Sequence, residues 1–281
     1  MEIIKDIRGM RDFVRQERQA GRRVGLVPTM GYLHQGHLSL VAAARRAADT
    51  VVMSIFVNPL QFGVGEDYEV YPRDLTRDAE LAEAAGVAAI FAPAVAEMYP
   101  RGYATFVEVE NLTEGLCGAS RPGHFRGVTT VVSKLFNIVQ PDVAVFGQKD
   151  FQQAAVIQRM VHDLNLPVEI MVAPIVREAD GLAMSSRNTY LSPEQRTASL
   201  VLYRSLKLAE ERVAAGERRA AQLRQALVDF IGAEPLASID YVEVVDAESL
   251  KPLADLQGRV LIALAVRFGS TRLIDNTVVE V

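Results

Sequence analysis

The chain has 281 residues, 49% hydrophobic and 23% charged, with 30 Lys and Arg against 35 Asp and Glu for a formal net charge of -5. That length suits one large domain or two of ordinary size, and the apolar content is ample for a core and excludes a disordered chain. The acidic balance excludes a general nucleic-acid binder, which needs a basic face to displace phosphate counterions. The single Cys117 excludes an internal disulfide framework and a cysteine-based zinc cluster, and it reads as a small thiol in or near the core. The first residues, Met1 to Arg8, are interrupted by charge and contain no apolar signal-type run. No stretch reaches the roughly 20 apolar residues of a membrane helix, so a cytoplasmic location and no membrane partner are expected.

The first two-thirds alternate β-branched runs with alanine-rich amphipathic segments. Val24 to Val27 is a candidate strand and Leu38 to Ala48 a helix. Thr50 to Val57 is an almost continuous apolar run, the mark of a parallel strand covered on both faces. Asp74 can cap a helix that runs to about Ala85 and stops at Gly86. Strands at Val87 to Phe91, Val143 to Phe146 and Val168 to Val172 then alternate with helices at Val128 to Val139 and Phe151 to Leu164. This rhythm predicts an α/β fold: a Rossmann-like, doubly wound, mainly parallel sheet over residues 1–175. Over residues 176–281 the pattern changes to a smaller α+β domain. Ser192 and Gln195 make a capping box for a long helix with Pro193 at its first position. A second helix follows from Arg218 to Ile231, then strands near Ile239 to Val245 and Val260 to Arg267, and a terminal hairpin through Asp275-Asn276.

The sharpest chemical feature is Pro28-Thr29-Met30-Gly31-Tyr32-Leu33-His34-Gln35-Gly36-His37, between the first buried strand and a helix. In a doubly wound sheet that turn opens at the carboxyl edge, where ligands bind. Its glycines let backbone approach a ligand, and the helix N-terminus presents amides to phosphate. His34 and His37 can donate side by side to phosphate oxygens; taken alone, such a pair is more often a surface pair, and a zinc site lacks a third ligand nearby. Gly181 to Asn188 combines Ser185, Ser186 and Arg187, hydroxyls beside a planar multi-donor guanidinium, after Met184. Gly147-Gln148-Lys149-Asp150 again follows a buried strand: Lys149 can neutralise phosphate, while Asp150 can hold Lys149, a ribose hydroxyl or a metal-bound water, or cap the next helix. Gln61, in Phe56 to Gly63, both donates and accepts, as does Gln153; both suit a substrate bearing hydroxyl and carboxylate groups. Finally, Leu116 to Gly127 reads as a glycine-rich basic loop able to close on anions.

The His34-Gln35-Gly36-His37 element resembles that of the nucleotidyltransferase superfamily, which works on the α-phosphate of nucleoside triphosphates. Together with Phe56–Gly63, Gly118–Val128, Phe146–Gln153, Met184–Asn188 and Tyr71-Pro72-Arg73, it resembles the pantoate–β-alanine ligase (pantothenate synthetase) family, from the first strand past Asn188. The resemblance implies ATP-dependent condensation of (R)-pantoate with β-alanine through a pantoyl adenylate, giving pantothenate, AMP and pyrophosphate. It implies that Met30, Gly31, Tyr32, Leu33, His34, Gln35, Gly36 and His37 lie along ATP, with His37 assisting at the phosphates. Gly147, Gln148, Lys149, Asp150, Val176 (by its backbone), Met184, Ser185, Ser186 and Arg187 are also implied for ATP. Gln61 is implied for pantoate and β-alanine, and Gln153 for pantoate; His34, His37, Lys149 and Arg187 are the implied catalytic set. Magnesium dependence and a homodimer follow from the same resemblance. One departure stands out: Arg77-Asp78 replaces two adjacent acids, so no protein ligand for Mg²⁺ is assigned. Two other readings compete, a nucleotidyltransferase that keeps the nucleotide on its product and a non-catalytic nucleotide sensor.

Overall fold

The computed structural model describes all 281 residues. The chain forms two compact units, one of 1–111, 121–148 and 153–174, the other of 112–120, 149–152 and 175–281.

The first unit holds β1 (Glu2–Ile4), α1 (Ile7–Gln19), β2 (Val24–Thr29), α2 (Gln35–Ala47), β3 (Thr50–Ile55), α3 (Leu75–Ala84), β4 (Ala89–Phe91) and α4 (Val95–Met98). After α5 (Leu116–Ser120), which belongs to the second unit, come α6 (His124–Val139), β5 (Val143–Gly147), most of α7 (Phe151–Asp163) and β6 (Glu169–Ala173). The six strands form one parallel sheet in the order β1-β4-β3-β2-β5-β6. Every strand expected here is present, with ends shifted by a residue or two. The alternation of side chains explains why these runs are apolar throughout. Val27, Val51, Met53, Ile90, Val143 and Val145 pack with Leu40, Val41 and Ala44 of α2 and Ala82 of α3. Their neighbours Leu26, Val52 and Ala144 are equally buried and point to the opposite face.

β1 and α1 escaped the sequence reading. Asp6 caps α1 by accepting from the Gly9 amide, and Met10 and Val14, one turn apart, supply its buried stripe. Asp74 caps α3 as expected, accepting from the Arg77 amide.

Chain order reverses between β2 and β5, the topological switch point at which doubly wound sheets bind ligands beyond the strands' carboxyl ends. The two strands part there. Their ladder covers only Gly25↔Val143 and Leu26↔Ala144, yet β2 continues through Val27, Pro28 and Thr29, and β5 through Val145, Phe146 and Gly147. The turn after β2 and the end of β5 therefore lie on either side of the switch point.

The second unit contains α8 (Pro193–Ala198), α9 (Val201–Ala214), α10 (Ala220–Gly232) and an antiparallel sheet of β7 (Ala237–Asp246), β8 (Arg259–Phe268) and β9 (Thr271–Glu280). Leu202, Leu206, Leu223, Leu227, Ile262 and Leu264 lie in its core. The Ser192–Gln195 capping box forms as expected, but the long helix it opens is interrupted after Ala198. The buried Ser199 hydroxyl donates to the Arg196 carbonyl at 2.8 Å, a local bond that competes with the helical ladder. The terminal hairpin also differs from expectation. Its turn is Gly269-Ser270, and Asp275-Asn276 lie buried in the middle of β9. Turn-forming chemistry was the wrong reading, because each has a partner. Asp275 accepts from Arg177 at 2.6 and 3.0 Å, and Asn276 donates to the Lys149 carbonyl at 3.0 Å.

Burial pushes the Asp275 carboxyl upward, opposed by the Arg177 hydrogen bonds and charge. Removing the guanidinium strands a buried carboxylate. Arg177→Ala should cost about 3–5 kcal/mol of unfolding free energy at neutral pH. Denaturant titration would measure it, and the deficit should shrink as pH falls and the stranded carboxyl takes up a proton.

Candidate functional site

In the first unit the site begins where β2 ends. The Thr29 hydroxyl donates to the Ser54 carbonyl on β3 at 2.7 Å and accepts from the Gly31 amide at 3.2 Å. Gly31 has φ of 86°, and a Cβ there would stand 2.9 Å from both Asp78 Oδ2 and Ile55 Cγ2, so the turn needs glycine on two counts. Tyr32 follows, also at positive φ (50°). Asp78, on α3 and 1% exposed, holds this turn: its carboxylate accepts from the amides of Tyr32 at 2.6 Å and Leu33 at 2.7 Å. Arg77 lies beside it, donating to Asp78 at 3.4 Å and to the Leu33 carbonyl at 3.0 Å, with its guanidinium 5.0 Å from the Tyr32 ring centre. Burial raises the Asp78 carboxyl above its ordinary range, offset by the Leu33 and Tyr32 amides and then by Arg77. Sequence reasoning left Arg77-Asp78 without a role; an acid following the arginine in this stretch was the available signal.

The turn delivers His34 as the cap of α2. Its Nδ1 accepts from the Gly36 amide at 3.1 Å, while His37 Nδ1 accepts from the His34 amide at 3.3 Å, a reciprocal capping box made by two imidazoles. The rings lie 4.1 Å apart at a tilt of 36°. Because each Nδ1 receives an N–H, each neutral ring carries its own proton on Nε2. The expected side-by-side pair is present. Gln35 is the first residue of α2, and Gly147 ends β5 with Gln148 just after it, on the other side of the switch point.

A second constellation surrounds Gln61, at the end of the short 3₁₀ turn Pro59–Gln61. Asn58, almost fully buried, donates to Gln61 Oε1 at 3.2 Å and to the Gly127 carbonyl at 3.0 Å, and accepts from the Tyr99 hydroxyl at 2.8 Å. Gln61 Nε2 lies 3.2 Å from Met30 Sδ, so Gln61 and the histidine turn meet. Gly127 permits α6 to approach: a Cβ there would lie 2.3 Å from the Leu60 carbonyl oxygen. Gln153 lies partly exposed near the start of α7. The basic stretch 116–127 is not the open loop expected. Leu116–Ser120 is helical, His124 opens α6, and Arg121 pairs with Glu66 at 2.6 Å. Cys117 is buried, as expected, with its Sγ 3.3 Å from the Tyr241 hydroxyl.

In the second unit the remaining candidates cluster on a braced loop. The stretch 176–184 folds back on itself: the Met184 amide donates to the Val176 carbonyl at 3.0 Å, and Arg177 and Ala183 form an antiparallel bridge. Asn188 donates to Glu178 at 2.9 Å and to the Ala183 carbonyl at 3.1 Å, and Arg196 donates to Glu178 and Asp180. Ser185 caps the short turn Ser186–Tyr190, accepting from the Arg187 amide at 3.3 Å. Lys149 Nζ stands 3.9 Å from Asp150 Oδ2. Lys149, Ser185, Asn188 and Asp275 also line a cavity of about 10 Å³, far too small for a nucleotide.

Asp78→Ala would free two amides inside the histidine turn. We expect a loss of about 1–3 kcal/mol in chemical denaturation. A loss below about 0.5 kcal/mol would mean that the turn keeps its shape without the carboxylate.

Comparison with known proteins places these features in context. The family model described as pantoate-beta-alanine ligase matches residues 2–278. Over 281 residues the chain is 65% identical to pantothenate synthetase of Heliobacterium modesticaldum, covering all of both chains. It is likewise 65% identical to that of Moorella thermoacetica, covering all of this chain and 99% of the relative. Pantothenate synthetase from Thermus thermophilus superposes with a TM-score of 0.94 at 51% identity, over 99% of each chain. The ligase from Francisella tularensis, in complex with Beta-gamma ATP and β-alanine, gives 0.80 at 32% identity, over 99% of this chain and 97% of that one.

Proposed function

This chain belongs to the pantoate–β-alanine ligase family, and from that premise we propose how its residues divide the reaction. The reaction is the AMP-forming, ATP-dependent condensation of pantoate with β-alanine to pantothenate, through a pantoyl adenylate. A pantoate carboxylate oxygen attacks the α-phosphorus of ATP, and the bond to pyrophosphate breaks. The amine nitrogen of β-alanine then attacks the acyl carbon, the bond to AMP breaks, and the nitrogen loses a proton.

The observation that carries the assignment is the histidine capping box at the start of α2. With both Nδ1 atoms engaged by backbone amides, His34 and His37 offer N–H groups through Nε2, beside a helix N-terminus that favours anions. We assign both to the phosphates of ATP as hydrogen-bond donors to developing charge. Outright proton donation by His37 would require a protonated Nδ1 and loss of its bond to the His34 amide, so donation without transfer is the role its geometry favours. Met30 to Leu33, Gln35 and Gly36 line the same turn and are assigned to ATP with them, as are Gly147 and Gln148. Lys149, Asp150, Val176, Met184, Ser185, Ser186 and Arg187 are assigned to ATP on the family resemblance, Lys149 and Arg187 as charge-stabilising groups. Gln61 is assigned to pantoate and β-alanine, and Gln153 to pantoate. On this reading residues 1–175 form the nucleotide- and pantoate-binding domain and residues 176–281 the smaller C-terminal one.

Magnesium is assigned to the nucleotide, arriving with the triphosphate. No group of three His, Cys, Asp or Glu is arranged to hold a cation, and both Asp78 oxygens already accept amide hydrogens. Phosphate oxygens and water are the ligands Mg²⁺ ordinarily keeps at such sites. A cytoplasmic homodimer completes the proposal; no helix of the structure is long and apolar enough to cross a membrane.

His37→Ala should slow adenylate formation about 10²–10³-fold, the scale of one oxyanion-type donor. Rapid quench with ATP and pantoate, without β-alanine, isolates that half-reaction. Normal adenylate formation with a failed amine step would instead move His37 to amide formation. Light scattering at micromolar concentration should give the mass of a dimer, and a monomer alone would remove that part of the proposal.

A further inference from the structure

Gln61 is held at its backbone as well as at its side chain, and the backbone clamp is built from three charged or titratable residues. Glu66 receives two hydrogen bonds from Arg121, from Nε at 2.7 Å and from Nη2 at 2.6 Å. The same Nη2 donates to the Gln61 carbonyl at 3.2 Å, and Nη1 lies 3.1 Å from His124 Nε2. His124 Nδ1 lies 2.8 Å from that same carbonyl. These contacts leave one tautomer. A guanidinium only donates, so Nε2 accepts; a carbonyl only accepts, so Nδ1 carries the proton and donates. The Gln61 carbonyl thus takes two hydrogens, one from Arg121 and one from His124, while the Arg121 side chain is only 15% exposed.

The other end of Gln61 is fixed in the same sense. Asn58 Nδ2 donates to Gln61 Oε1, which turns Nε2 outward as a donor toward Met30. The Leu60-Gln61 backbone sits against Gly127, with no space for a Cβ between them. A side chain that selects a substrate by hydrogen bonds needs its Cα held within a fraction of an ångström. We propose that Glu66, Arg121 and His124 are positioning residues that fix the Gln61 backbone and through it the seating of pantoate. The inference rests on the assignment of Gln61 to pantoate made above. None of the three need touch substrate. Glu66 aligns Arg121, Arg121 sets the His124 tautomer, and both deliver their hydrogens to one oxygen.

The test is steady-state kinetics on the full chain with pantoate varied at saturating ATP and β-alanine. His124→Ala should lower kcat/KM for pantoate about 5- to 100-fold, the cost of one lost buried hydrogen bond. ATP affinity, by direct titration, should stay within about twofold of the parent. His124→Asn, whose amide nitrogen can stand in for Nδ1, should recover most of the loss. In a Gln61→Ala background, His124→Ala should add less than about threefold, since its effect passes through the missing carboxamide. Should His124→Ala fold poorly, Arg121→Lys carries the same expectation, because an ammonium cannot serve Glu66, His124 and the carbonyl in one plane. Independent, multiplying losses in the double variant would overturn the inference, as would an equal loss of ATP affinity. If Gln61→Ala impairs use of pantoate and His124→Ala does not, this inference alone fails. If Gln61→Ala leaves pantoate kinetics unchanged, the assignment of Gln61 fails and the inference falls with it.

Discussion

Asp78 accepts two amide hydrogens from the turn that follows β2, and much of the first unit's chemistry hangs from that grip. Two consecutive residues at positive φ, Gly31 and Tyr32, are unfavourable unless the surroundings fix them. The carboxylate supplies the fixing, from a helix more than forty residues downstream in sequence. Once the turn is set, His34 arrives with the extended backbone of a helix cap, and α2 begins where its imidazole can receive the Gly36 amide. Asp78 thus fixes the backbone that leads directly into His34 and the start of α2.

The second unit solves a comparable problem with paired charge. The 176–188 stretch has Leu182 and Ala183 as its buried apolar anchors, and polar and charged groups hold the rest. The polar anchors are Glu178 and Asp180, which take Arg196, and Asn188, which ties the 184–188 stretch back to Ala183. Arg177 and Asp275 set the base of the same loop. The Arg196 pairs are partly exposed and contribute modestly to stability, whereas the Arg177–Asp275 pair is bidentate and closes on a buried carboxylate.

Most of the first unit's fold was legible in the sequence because its central strands β2, β3, β4 and β5 are buried on both faces and read as continuous apolar runs. The helices α3 and α8 were legible from their caps. What was missed has physical causes. β1 is only three residues long, and α1 shows a narrow buried stripe, Met10 and Val14, beneath abundant charge. Asp275-Asn276 carries turn chemistry, yet its partners Arg177 and Lys149 lie about a hundred residues away in sequence, beyond any local pattern. The same holds for the site. Residue types named His34, His37 and Gln61, whereas Asp78, Asn58 and Glu66 act through contacts that only the folded chain creates.

The imidazole capping box ties the start of α2 to the neutral form of two rings. Protonation at either Nδ1 replaces an acceptor by a second donor, and an N–H then confronts an N–H. The helix start and the two ring donors therefore share one protonation state. Asparagine at either position could preserve the helix boundary while deleting the ring, which separates the architectural use of these histidines from their chemical use.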